Sequence, residues 1–141
     1  MPLTADDFRS LADQFSGLAN SIVVFEEKNP QLSDSDFQAI DHMRKVALDQ
    51  SDKFLIAAIQ QTLKDLNAPL ARISNATVKM NESLKNLNNI GKAISIASAG
   101  IQLGVAILSG QMPAITQAIG NLVDSSSGSG SGSSPGSEIS S

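Results

Sequence analysis

From Ala93 to Val123 the chain carries no Asp, Glu, Lys or Arg, a run of 31 residues. A helix that is apolar on all sides must be buried in protein or in lipid, so this run constrains the fold more than any other segment. All ten basic residues lie at or before Lys92, and the acidic residues beyond the run are Asp124 and Glu138. The low charged fraction of 17% is therefore a property of one end of the chain. Residues 1–92 hold ten basic and twelve acidic groups, an ordinary balance for a soluble bundle.

Upstream of the run the periodicity is helical throughout. Thr4 and Asp7 stand at N-cap and N3 of a first helix, and Ser33 and Asp36 occupy the same places before a second. A hydroxyl there accepts from the N3 amide, and first-turn acids suit the positive helix end. Leu3 with Phe8, and Leu32 with Phe37, have the spacing of a hydrophobic staple. The first helix is expected over about 5–27, with Phe8, Leu11, Phe15, Leu18, Ile22 and Phe25 as one stripe. Asn29-Pro30 stops it. The second is expected over about 34–66. Its stripe is Phe37, Ile40, Ala47, Leu48, Leu55, Ile59 and Leu66, interrupted at residues 49–53 where a bend is expected. Asn67-Ala68-Pro69 ends it.

The third helix is expected over about 70–109. Its seam runs Leu70, Ile73, Thr77, Met80, Leu84, Leu87, Gly91, Ile94, Ser98, Ile101, Val105, Leu108 without losing the 3/4 spacing. Asn88-Asn89-Ile90-Gly91 is the weak point at which it would break. The opposite face begins as Arg72, Asn75, Lys79, Glu82, Asn86, Asn89 and continues as Ala93, Ile96, Gly100, Leu103, Ile107. The polar face vanishes while the period continues. Gly110 to Pro113 reads as a turn, and a short last helix over about 114–123 completes an uncharged hairpin. Ala93/Ala97 and Gly100/Gly104 are small-xxx-small pairs that let helices approach closely. Gln102, Gln111, Gln117 and Asn121 offer neutral hydrogen-bonding groups within the hairpin.

Several chemistries find no support. The chain has no Cys and one His, so neither a disulfide framework nor a typical zinc site is available. Asp34, Asp36 and Asp41 lack calcium-loop spacing and read as helix-start acids. No phosphate-binding glycine loop or nucleophile elbow is present. The net charge of −4 and the absence of Trp and Tyr argue against nucleic-acid binding. No catalytic residue, metal, cofactor or small-molecule substrate is expected. Residues 1–7 lack the basic and apolar regions of a signal peptide, so a cytoplasmic chain with at most conditional membrane association is expected. Ser125 to Ser141 contains ten Ser, four Gly and a Pro, the composition of a disordered tail or linker.

The expected fold is therefore all-α: an elongated, antiparallel up-and-down bundle of four helices over 1–124, or five if the third breaks near Gly91. Over about 70–123, the arrangement of amphipathic helices around the uncharged hairpin 93–123 resembles that of α-helical pore-forming and cell-death-executing bundles, and the likeness is one of pattern. It implies a non-enzymatic interaction module. Ala93, Ala97, Gly100, Ile101, Gln102, Gly104, Val105, Leu108, Gly110 and Pro113 would serve packing with a protein partner, self-association or conditional insertion into lipid. The alternative is a soluble adaptor or oligomerisation domain with 93–123 as its buried core.

Overall fold

The computed structural model describes residues 2–61, 63 and 66–127. Five helices follow one another: α1 (Ala5–Lys28), α2 (Asp34–Gln60), α3 (Leu70–Asn86), α4 (Ile90–Ser109) and α5 (Met112–Ser127). Among the described residues there is no strand. α2 runs unbroken through residues 49–53, where the sequence interrupts the stripe. It ends at Gln60 rather than Leu66. Gln61 adopts the left-handed conformation there (φ 54°), and its amide closes the helix onto the Ala57 carbonyl. The last helix begins two residues earlier and ends four residues later than expected, at Ser127. The remainder of the expected disordered tail, 128–141, lies outside the described residues.

The expected 40-residue third helix is two helices. Leu87 and Asn89 are extended, and the Asn89 side chain caps α4 by accepting from the Lys92 amide at 2.9 Å. The turn is also tied from outside. Buried Asn29, just past α1, donates through Nδ2 to the carbonyls of Phe25 (2.8 Å) and Leu87 (3.3 Å). The residue that helps stop the first helix thus also anchors the reversal between α3 and α4, and the bundle is not elongated by a continuous third helix.

Hydrogen bonds between helices set the directions. Ser51 Oγ of α2 donates to the Ala12 carbonyl of α1 at 2.8 Å, and Phe15 packs against Phe54 with ring centroids 5.2 Å apart. α3 runs alongside α1 in the same sense. Its approach is fixed by the Leu3 amide on the Leu66 carbonyl (2.8 Å), its middle by Thr77 Oγ1 donating to Gln14 Oε1 (2.8 Å), and its end by Lys28 Nζ on the Lys85 carbonyl (2.7 Å). α4 returns past Met80 and Gln50, and α5 climbs back until Ser83 Oγ meets the Ser126 carbonyl. Successive helices are antiparallel, as expected. Neighbouring contacts close a ring in the order α1, α2, α4, α5, α3, and α4 is the one helix among these five that touches all four others.

The core is continuous across all five helices. The six residues of the expected α1 stripe are all buried, each 1% exposed or less. Burial of side chains of this size contributes roughly 1.5–3 kcal/mol apiece, so α1 is the main apolar support for both α2 and α3. Both expected caps form: Thr4 makes a reciprocal box with Asp7, and Ser33 accepts from the Asp36 amide.

One polar cluster sits where the end of α1 meets α2. Asp41 holds Arg44 at 2.7 Å, and the guanidinium keeps its carboxylate below the usual range. Glu26 faces this pair from α1. Burial, and then the hydrogen bond and charge of Asp41, push its carboxyl from an ordinary 4.5 up to about 7. Its Oε2 is buried with no donor among the described residues, and when protonated it is Glu26 that donates to Asp41. A carboxyl whose folded pKa is raised gives stability that is complete below about 4.5 and is lost as pH rises through about 7. Asp41 adds nothing to this window, because its lowered pKa matters only in stronger acid. Glu26→Gln should therefore raise the urea midpoint at pH 8 relative to the parent and leave it nearly unchanged at pH 4.5. An equal shift at both pH values would show that Glu26 does not titrate this way.

Candidate functional site

The uncharged hairpin, 93–123, makes up most of α4 and α5, which are joined through Gly110, whose left-handed φ of 73° closes α4 onto the Ile107 carbonyl. Its faces are not those expected from the seam. Ala93, Ile96, Ala97, Gly100, Leu103, Gly104 and Ile107 are buried. Ile94, Ser98, Ile101 and Leu108 are half-buried, and Gly91 and Val105 are exposed. The seam that is buried in α3 at Ile73, Thr77, Met80 and Leu84 thus turns outward in α4. The reversal at residues 87–89 explains this, because a chain that folds back presents a new side to the core. The face that loses its charges at Ala93 does so because it becomes the core face.

The small residues lie on that buried face and receive side chains from three helices. A Cβ at Gly100 would collide with Met80 Sδ of α3 and lie 3.3 Å from Leu18 Cδ2 of α1. A Cβ at Gly104 would lie 2.6 Å from Gln50 Oε1 of α2. Gln50, one of the polar residues expected to interrupt α2, points inward. It is 3% exposed, and its Nε2 donates to the Ile101 carbonyl at 2.9 Å. Its Oε1 is buried without a donor among the described residues, a deficit that typically costs about 1–3 kcal/mol.

The neutral polar residues of the hairpin do not hold its two helices together from within. Gln102, Gln111, Gln117 and Asn121 are all exposed. Gln102, Val105 and Ser109 of α4 face Ala114, Gln117 and Asn121 of α5 across a shallow outer groove, and Pro113 is exposed beside the turn. The hairpin is therefore amphipathic after all, with a solvated face built from Gln, Asn, Ser and Thr instead of ionised groups. Of the sequence-selected residues, Ala93, Ala97, Gly100 and Gly104 come together in the core. Gln102, Val105 and Pro113 do not join them, and Ile101, Leu108 and Gly110 are intermediate.

Exposed apolar surface lies elsewhere. Five of the eight large apolar side chains that remain exposed among the described residues are on α2: Phe37, Leu48, Leu55, Ile56 and Ile59, the last at 77%. The sequence reading placed Phe37, Leu48, Leu55 and Ile59 in the core stripe. The core face of α2 is instead Ile40, Ala47, Gln50, Ser51, Phe54, Ala57 and Ala58. A cleft of about 570 Å³ runs between α3 and α5, walled by Ala76, Val78, Ile119 and Val123 with Arg72, Lys79 and Asp124 also lining it. His42 is exposed on α2. Among the described residues no three His, Asp or Glu side chains gather as a metal site would need. The chain matches no family model, no curated protein and no solved structure.

The contact between Gly104 and Gln50 gives a direct test of this packing. Gly104→Ala should cost roughly 1–3 kcal/mol in the parent, the usual penalty of overpacking. In a Gln50→Ala background the same change should stabilise by about 1 kcal/mol, the helix-propensity gain of Ala over Gly. Urea denaturation of the four variants measures the coupling. The same effect in both backgrounds would place the Gln50 amide away from Gly104.

Proposed function

We propose that this protein is a non-enzymatic helical interaction module in which the small-residue face of α4 is the packed centre and binding uses the outward helix faces. The observation that carries this reading is the position of α4, which touches every other helix and accepts Met80, Leu18 and Gln50 onto its small-residue face. Releasing the hairpin into lipid would leave these three side chains unpacked and the apolar face of α1 without one of its supports. The outer face of the hairpin already has polar groups suited to water, which removes the need for lipid to cover it.

A second reading, conditional membrane insertion, is favoured by one observation. α4 is, among the described residues, the one helix long and apolar enough to cross a membrane, with half of the apolar stretch buried in the bundle. Liposome flotation and dye leakage at neutral and acid pH separate the two. The proposed module neither floats nor leaks dye. Leu103→Asp should prevent folding, since Leu103 is fully buried and an unpaired charge there is strongly destabilising. Val105→Asp, at a 54% exposed position, should leave the urea midpoint within about 0.5 kcal/mol of the parent. Leakage that Val105→Asp abolishes without unfolding the chain would overturn the module and establish insertion.

A further inference from the structure

We propose that the outward face of α2 is a self-association surface, and that two copies pair there with their α2 helices antiparallel about a two-fold axis through Leu48. This rests on the reading of the chain as a binding module and names its partner as a second copy. Phe37, Leu48, Leu55 and Ile59 are exposed on α2, and among the five helices α2 packs against α1 and α4. At 100° per residue these four positions fall along one side of the helix with exposed Asp52, bordered on the α1 side by the half-buried pair Asp41 and Arg44. The line spans about 33 Å between Phe37 and Ile59 at 1.5 Å per residue. It is separate from the core face, which holds Gln50, Ser51 and Phe54.

The order of residues along this line is what selects a second copy. Counting from Leu48 toward the N-terminus the intervals are 4, 3 and 4, reaching Arg44, Asp41 and Phe37. Counting toward the C-terminus they are again 4, 3 and 4, reaching Asp52, Leu55 and Ile59. An interface on a two-fold axis must be complementary to itself. Antiparallel pairing centred on Leu48 places Leu48 against its own copy and Phe37 against Ile59 at both ends, and sets Asp41, which stays bonded to Arg44, beside Leu55. Arg44 then meets Asp52 of the second copy twice. Parallel pairing in register would instead set Arg44 against Arg44 and Asp52 against Asp52, and like charges across an interface are disfavoured. The surface charges nearby, Lys45, Asp49 and Lys53, with Asp41, Arg44 and Asp52, sum to zero, so no net repulsion opposes the approach of two copies. Arg44 keeps its bond to Asp41 and has donors left for the second carboxylate.

The absence of Cys makes the register directly readable. The full chain should sediment at twice its 14.7 kDa mass, and Leu48→Lys, which sets two cations on the axis, should convert it to a folded monomer with an unchanged far-UV spectrum. Under mild oxidation L48C should cross-link to itself, I59C alone should not, and a mixture of F37C with I59C should form the mixed disulfide. A folded chain that stays monomeric overturns the pairing and leaves the interaction-module reading intact, whereas liposome leakage overturns that reading. A dimer in which I59C cross-links to itself and L48C does not overturns the antiparallel register. A dimer that Val105→Asp dissolves and Leu48→Lys does not would move the interface to the α4–α5 face and overturn the proposal.

Discussion

The structure depends on the close approach of three helices to the small-residue face of α4. Side chains from α1, α2 and α3 converge on Gly100 and Gly104. Each fills space that a Cβ would take. Close packing of this kind is sensitive to single methylene groups, so a side chain at either position would displace its neighbours. α4 takes its place in the ring between α2 and α5 and also touches α1 and α3. The helix pairs outside the centre are then fixed by local polar contacts, such as Asn29 at the turn between α3 and α4 and Ser51 on the Ala12 carbonyl.

Much of this was legible in the residues. The helix starts at Thr4 and Ser33 and the α1 stripe follow from capping chemistry and a single unambiguous face. So does the all-helical, up-and-down order. The expectation failed where a helix has no clear polar side. In residues 90–109 almost every position is apolar or small, so two opposite 3/4 registers fit the spacing equally well. The seam carried across Leu87 gave the wrong one. The signals that do mark the core face are small apolar residues and neutral polarity together: Ala93, Ala97, Gly100 and Gly104 cluster on it, and the polar Gln102, Ser95 and Ser109 avoid it. Counting charges hid this, because the solvated side is neutral.

The second helix shows the opposite confusion. Its apolar residues at 3/4 spacing belong to two faces, and the polar Gln50 and Ser51 are buried while Leu48, Leu55 and Ile59 are exposed. Hydropathy alone assigns these positions backwards. Gln50 goes inward because Gly104 leaves it space and the Ile101 carbonyl accepts its amide, conditions that only the neighbouring helix reveals. The apolar residues displaced from the core then form a surface of their own, and that surface, rather than the uncharged hairpin, is where the molecule presents unpartnered apolar groups.

The uncharged run thus has a plain physical origin. A helix that meets four others has little surface left for ionised side chains, and its partner in the hairpin meets water through amides and hydroxyls. Native-state hydrogen exchange tests this most directly, because amides at the centre of a bundle open only with global unfolding. The account predicts that the amides of residues 96–107 exchange at the global unfolding rate, as slowly as those in the middle of α1. Exchange of these amides through a low-energy opening, while α1 and α2 stay protected, would contradict it and show that the hairpin is detachable from the bundle.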